Sequence, residues 1–109
     1  MATAYVSYHR VALREPHASS VYGRALYSEA LTISGTTATT TTGQTTGQGA
    51  DVVARVKVDA DCYVAWGDTP DPTATAVSAA TSARVALLAG DAIDFGLTAG
   101  AKVAVKALS

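Results

Sequence analysis

From residue 52 onward the chain is written with a period of two. Val52, Ala54, Val56 and Val58 alternate with Val53, Arg55, Lys57 and Asp59, the pattern of a strand with one face in a core and the other in water. Asp59-Ala60-Asp61 makes a turn, and Cys62 to Trp66 reads as a second strand ended by Gly67. Asp68-Thr69-Pro70-Asp71-Pro72 cannot extend a ladder, because proline has no amide proton to give. A polar Ala/Ser/Thr stretch runs to Ser82. Short strands are then expected at 84–88 and 92–97 around the turn Ala89-Gly90-Asp91, and at 102–108 after Thr98-Ala99-Gly100. Strands this short, separated by Gly, Asp and Pro turns, predict an all-β fold: a small antiparallel β-sandwich or jelly-roll-like barrel. The Ala-rich stretch 74–88 competes as a helix, but Thr73, Thr75, Val77, Thr81 and Val85 weigh against it.

Size and composition narrow the class further. A chain of 109 residues supports one core. Half of it is apolar, yet the side chains are small: 23 Ala and 12 Val against 7 Leu, 2 Ile, one Phe and one Trp. Such a core is thin, so part of the burial is expected to come from a partner. The net charge of -1 gives no general electrostatic reason to bind nucleic acid. No run of about 18 apolar residues occurs, so no membrane span is expected, and the first ten residues lack the basic-then-apolar pattern of a secretory signal. Cys62 stands alone, which rules out an internal disulfide or a Cys-based zinc site.

The N-terminal zone, 1–28, differs from the rest. It holds Tyr5, Tyr8, Tyr22 and Tyr27, both histidines (His9 and His17), and Arg10, Arg14 and Arg24 against Glu15. Alternation between Tyr5 and Leu13 is weak, and Pro16 interrupts it. The zone reads as an extended N-terminal arm with one short strand, set against a single β-sandwich domain over 29–109. Tyrosine and arginine are enriched in protein interfaces, so Tyr5, Tyr8, Arg10, Arg14 and Tyr22 are candidate partner contacts; the plainer alternative is a terminal strand with solvated arginines. The Thr/Gly/Gln-rich tract 36–49 carries no apolar side chain larger than Ala38. Part of it, 36–42, suits a strand and 43–49 a loop; whether it is a strand swapped between subunits or a surface loop is open.

No catalytic constellation emerges. Nothing positions Cys62 near His9 or His17, and a small apolar filler is the simpler role for a mid-strand cysteine. Asp59 with Asp61, Asp68 with Asp71, and Asp91 with Asp94 all flank turns, where aspartate serves the backbone. A calcium site from Asp59, Asp61 and Asp68 matches no EF-hand spacing, and Gly43, Gly47 and Gly49 do not form a phosphate-binding loop. The expectation is a non-enzymatic protein without cofactor or metal. Tyr63 and Trp66 are candidate subunit or ligand contacts. Their opposite parity sends one inward and the other outward.

The run Val56-Lys57-Val58-Asp59-Ala60-Asp61-Cys62-Tyr63-Val64-Ala65-Trp66-Gly67-Asp68-Thr69-Pro70, followed by Ala89-Gly90 and Ala99-Gly100-Ala101-Lys102-Val103-Ala104-Val105, resembles small virion structural proteins of tailed bacteriophages and the related gene-transfer agents. Many of these are capsid decoration, cement or head-fibre base components. The resemblance covers residues 50–108 and, weakly, 28–33. It implies a β-sandwich or jelly roll, often trimeric, made in the host cytoplasm and fixed to the virion at the capsid surface, with the major capsid protein or another virion protein as partner. The N-terminal zone departs from the pattern, so no residue role transfers to it. Two alternatives share this frame. One is a glycan- or receptor-binding module of a head or tail fibre, with aromatics beside the 68–73 loop; the other is a head–tail connector or tail subunit.

Overall fold

The computed structural model describes residues 2–12, 21–44 and 52–108. Among these, eight strands follow one another without a helix: β1 (Thr3–Ala12), β2 (Val21–Thr32), β3 (Ala38–Thr39), β4 (Val52–Val58), β5 (Cys62–Gly67), β6 (Val85–Leu87), β7 (Ala92–Leu97) and β8 (Lys102–Ala107). They form two four-stranded sheets, ordered β2-β1-β4-β7 and β3-β8-β5-β6, and every pairing is antiparallel. The Ala-rich stretch yields only the strand β6 and a long loop.

After the β1–β2 hairpin every connection crosses between sheets except β5 to β6. This is the two-sheet, eight-stranded jelly-roll arrangement, entered one strand early, so that β1 takes the place of a last strand. Residues 2 and 107 are accordingly both tied to the end of β2 and the residues after it: Ile33 N donates to Ala2 O at 3.0 Å, and Ala107 N to Ser34 O at 2.8 Å.

The expected N-terminal arm is corrected by the sheet pairing. Thr3–Ala12 is an inner strand, paired on one side with β2 and on the other with β4 from Ala4↔Val58 to Arg10↔Val52. The sandwich therefore begins at the N-terminus and not at residue 29. Only the far end of the hairpin projects, where β1–β2 pairing continues to Ala12↔Val21 beyond the last β1–β4 partners. The alternation that looks weak in sequence is real: Ala4, Val6 and Tyr8 point inward and are buried. Polar Ser7, His9 and exposed Tyr5 occupy the outward positions. Residues 13–20 and 45–51 lie outside the described residues, and with them Arg14, His17 and most of the 43–49 loop.

The interior is filled by valines from both sheets. Val6, Val52, Val56, Val58, Val64, Val103 and Val105 have almost no exposure, each contributing on the order of 1.5 kcal/mol or more from burial. Two small residues of outward parity, Ala65 and Ala104, are also fully covered. The 68–84 loop folds back over that outer face. Its Pro72 is fully buried, and Asp71 lies within electrostatic reach of Lys106, which occupies the outward row beside Tyr63.

Candidate functional site

One cross-section of the sandwich carries both ring–ring contacts found among the described residues, Tyr8–Tyr27 and Trp66–Phe95. In the first sheet the row runs Tyr27–Tyr8–Ala54–Phe95 across β2, β1, β4 and β7. In the second, Trp66 pairs with Val103, and Thr40 hydrogen-bonds both ways with Val103: Thr40 N to its carbonyl at 2.8 Å and its amide to Thr40 Oγ1 at 3.1 Å. Small Ala54 and Val103 hold the middle, and the large rings sit at the two sides.

On one side the layer is a polar clasp. Tyr8 is buried, its hydroxyl donates to Thr42 O at 2.8 Å and lies 3.0 Å from Thr40 Oγ1, and its ring leans on Tyr27 with centroids 5.0 Å apart. Burial pushes the Tyr8 phenol above its ordinary range, against the hydrogen bond to Thr40; the neighbouring Tyr27 and Glu29 push the same way as burial. Tyr27 donates its hydroxyl to Glu29. The same carboxylate oxygen of Glu29 accepts Thr41 N at 2.9 Å and Thr41 Oγ1 at 3.2 Å. Partial desolvation raises the Glu29 carboxyl, but these hydrogen bonds outweigh it and hold the group below the usual range. The threonine tract is thus pinned to β1 and β2. Past it, Gly43 approaches the β7–β8 turn so closely that a Cβ there would stand 2.6 Å from Gly100 O.

On the other side Trp66 stacks on Phe95, centroids 3.8 Å apart and planes 10° from parallel. Beside it an open cleft of about 280 Å³ is lined by Trp66, Asp68, Ser78, Ser82, Gly96 and Thr98, among others. Its wall is the 77–82 segment, fastened to β5 by Ser82 N to Trp66 O at 2.7 Å and Trp66 N to Ser82 Oγ at 3.0 Å, and to the residues just after β5 by Thr69 N to Ala80 O at 3.0 Å. Gly67 makes that contact feasible. Its φ is +151°, and a Cβ would collide with Ala80 O.

The candidate contacts fall into four groups. Tyr5 is 57% exposed on the outward face of the first sheet, and Arg10, although of inward parity, is exposed at the last β1–β4 pair, opposite Val52. Tyr8 is corrected from partner contact to core, because its ring fills the interior and its hydroxyl is spent within the chain. Arg14 and the side chain of Tyr22 lie outside the described residues; the Tyr22 backbone pairs with Val11. Tyr63 and Trp66 do face opposite ways. The Arg84 guanidinium covers the Tyr63 ring at 4.1 Å from its centroid, so it is Trp66 that borders open space. Phe95, Ser78 and Ser82 carry no sequence signal of their own; only the parity of β7 with β4 could have placed Phe95 opposite Trp66.

The remaining groups serve the fold. Cys62 is fully buried, and desolvation, with the Asp61 charge adding to it, pushes its thiol up to about 11, so the reactive thiolate is scarce at neutral pH. His9 lies on the outward face, 2.8 Å from Ser7 Oγ. Asp59 accepts Thr3 N, Asp61 accepts Ala89 N, Asp91 accepts Leu88 N, and Asp71 accepts the amide and hydroxyl of Thr73. Asp94 pairs with Arg55 at 3.3 Å. Among the described residues no three His, Cys, Asp or Glu side chains gather as metal ligands.

Fold and site together define a two-sheet antiparallel β-sandwich with a closed polar clasp and an open aromatic cleft. Compared with known proteins, the chain matches no family model, no curated protein and no solved structure.

Proposed function

We propose that the protein is a non-enzymatic structural subunit of a phage-type virion, of the capsid decoration or cement kind, that assembles as a homo-oligomer and stabilises the shell by binding the major capsid protein. The observation that carries this reading is the outward face of the β2-β1-β4-β7 sheet. Tyr5 stands there in one cross-strand row between Ala30 and Lys57, and Leu26, 44% exposed, lies further along β2. An exposed tyrosine and leucine on an outward sheet face, beside the basic Lys57, suit burial against another protein surface. The resemblance of residues 50–108 to virion structural proteins supports the same class. A subunit that binds only the assembled shell stabilises it by mass action.

The test is co-sedimentation with undecorated capsids of the cognate particle, alongside light scattering of the free protein. Wild type should sediment with the shells as an oligomer, and the double variant Tyr5→Ser/Leu26→Ser should stay in the supernatant while keeping its fold by circular dichroism. A wild type that ignores shells, or a folded double variant that still decorates them, overturns the reading.

A further inference from the structure

We infer that the cleft beside Trp66 is a binding site for a neutral saccharide ring, formed by the indole of Trp66, the carboxylate of Asp68 and the hydroxyls of Ser78 and Ser82. At about 280 Å³ the space lies just under the range of drug-sized ligand pockets and suits one or two sugar rings.

Three observations argue for that chemistry. The first is the aromatic platform. Phe95 covers one face of the indole but is not among the residues that line the cleft, whereas Trp66 is. An indole offers a negative π-face to electropositive C–H groups, and the C–H face of a sugar ring supplies them.

The second is unspent hydrogen-bonding capacity. Asp68 is exposed and, among the described residues, is the carboxylate with no hydrogen bond or ion pair; Asp59, Asp61, Asp71, Asp91, Asp94 and Glu29 are all engaged. Ser78 Oγ accepts Ala80 N at 3.2 Å and Thr81 N at 3.3 Å, and Ser82 Oγ accepts Trp66 N at 3.0 Å, so both hydroxyl protons remain to be donated. One acceptor and two donors around an indole match the alternating demands of a polyol. Because both serines are fixed by backbone amides, the groups are held in place before a ligand arrives.

The third is charge. The lining contains one carboxylate and no Lys, Arg or His, which disfavours phosphate, sialic acid and uronic acids. A cationic amine would want several aromatic faces, whereas here a single indole is already half covered. The site lies between the sheets at the β5–β7 side, away from the Tyr5 face, so it stands or falls independently of shell binding.

The chain has one tryptophan, so a ¹⁵N-labelled sample gives a single indole N–H signal that reports on the cleft. Titration with glucose, galactose, N-acetylglucosamine and lactose should move that signal saturably for at least one of them. The expected dissociation constant is about 1–10 mM, the range a small ring reaches on an open site. Asp68→Ala, at an exposed position that bears no structural bond, should weaken binding about tenfold with the fold unchanged. N-acetylneuraminic acid and choline should bind more weakly than the best neutral sugar. No saturable shift with any neutral sugar, undiminished binding by Asp68→Ala, or preference for the anion or the cation overturns the proposal.

Discussion

The two sides of the aromatic layer solve opposite problems with similar residues. At the Tyr8 side the ring is interior and every polar group meets a partner in the chain. At the Trp66 side the ring stacks on Phe95, but the exposed Asp68 carboxylate has no partner among the described residues and the Ser78 and Ser82 hydroxyls, which accept backbone amides, keep their protons to donate. The first arrangement secures a segment whose largest apolar side chain is that of Ala38; the second leaves chemistry available at the surface. A satisfied polar network rigidifies, whereas polar groups with bonding capacity to spare beside an aromatic mark a place where something can bind.

Substitutions can break this comparison. The largest effect is expected from Tyr8→Ala, which opens a cavity in the layer and frees the threonine segment; about 3–5 kcal/mol should be lost in chemical denaturation. If the loss is only that of a surface residue, the clasp is not part of the core. Gly67→Ala comes next, at about 1–3 kcal/mol, since the new methyl meets the Ala80 carbonyl. Hydrogen exchange should rise across the 68–84 loop and leave β1–β2 protected. Uniform loss of protection would mean that the two sides are not independent.

A smaller, pH-dependent effect separates the sides further. The Glu29 carboxyl is held below its ordinary range in the folded state, so its stabilisation is fully present above the unfolded value and fades as the pH falls through the folded one. Acid titration of stability should show a decrement that Glu29→Gln lacks, accompanied by faster exchange at Thr41. The smallest effect is expected at Arg55→Ala. Its 3.3 Å ion pair with Asp94 is between side chains 49% and 36% exposed, and less than about 1 kcal/mol should be measurable.

Much of the C-terminal half is legible in the amino-acid order alone. The alternation over 52–58 coincides with β4, the 92–97 strand with β7, and the Gly and Asp turns fall where the sheets reverse. Period-two burial is a local code, written in β4 chiefly with valines and in β7 with Ile93, Phe95 and Leu97. The N-terminal half hides it. Tyr8 looks like an interface residue in sequence because nothing local says that Thr40 and Thr42 will come to bond its hydroxyl. Two irregularities in the β1–β2 register, at Tyr8/His9 and His9/Val11, also blur the alternation. The cleft is equally hidden: Asp68 can be read as a turn residue, and Ser78 and Ser82 as filler in a polar stretch.

The sequence by itself determined the fold class, the strand-and-turn spacing after residue 51 and the opposite facing of Tyr63 and Trp66, because side-chain parity along a strand is a property of neighbouring residues. Tertiary structure alone decided that β1 lies inside the sheet, that the threonine tract is held by Tyr8 and Glu29, and that Trp66 meets Phe95 beside an open cleft. Those contacts join residues 29 to 34 positions apart or only 12, across two sheets, and no local pattern encodes which distant partner will complete a hydrogen bond or cover a ring.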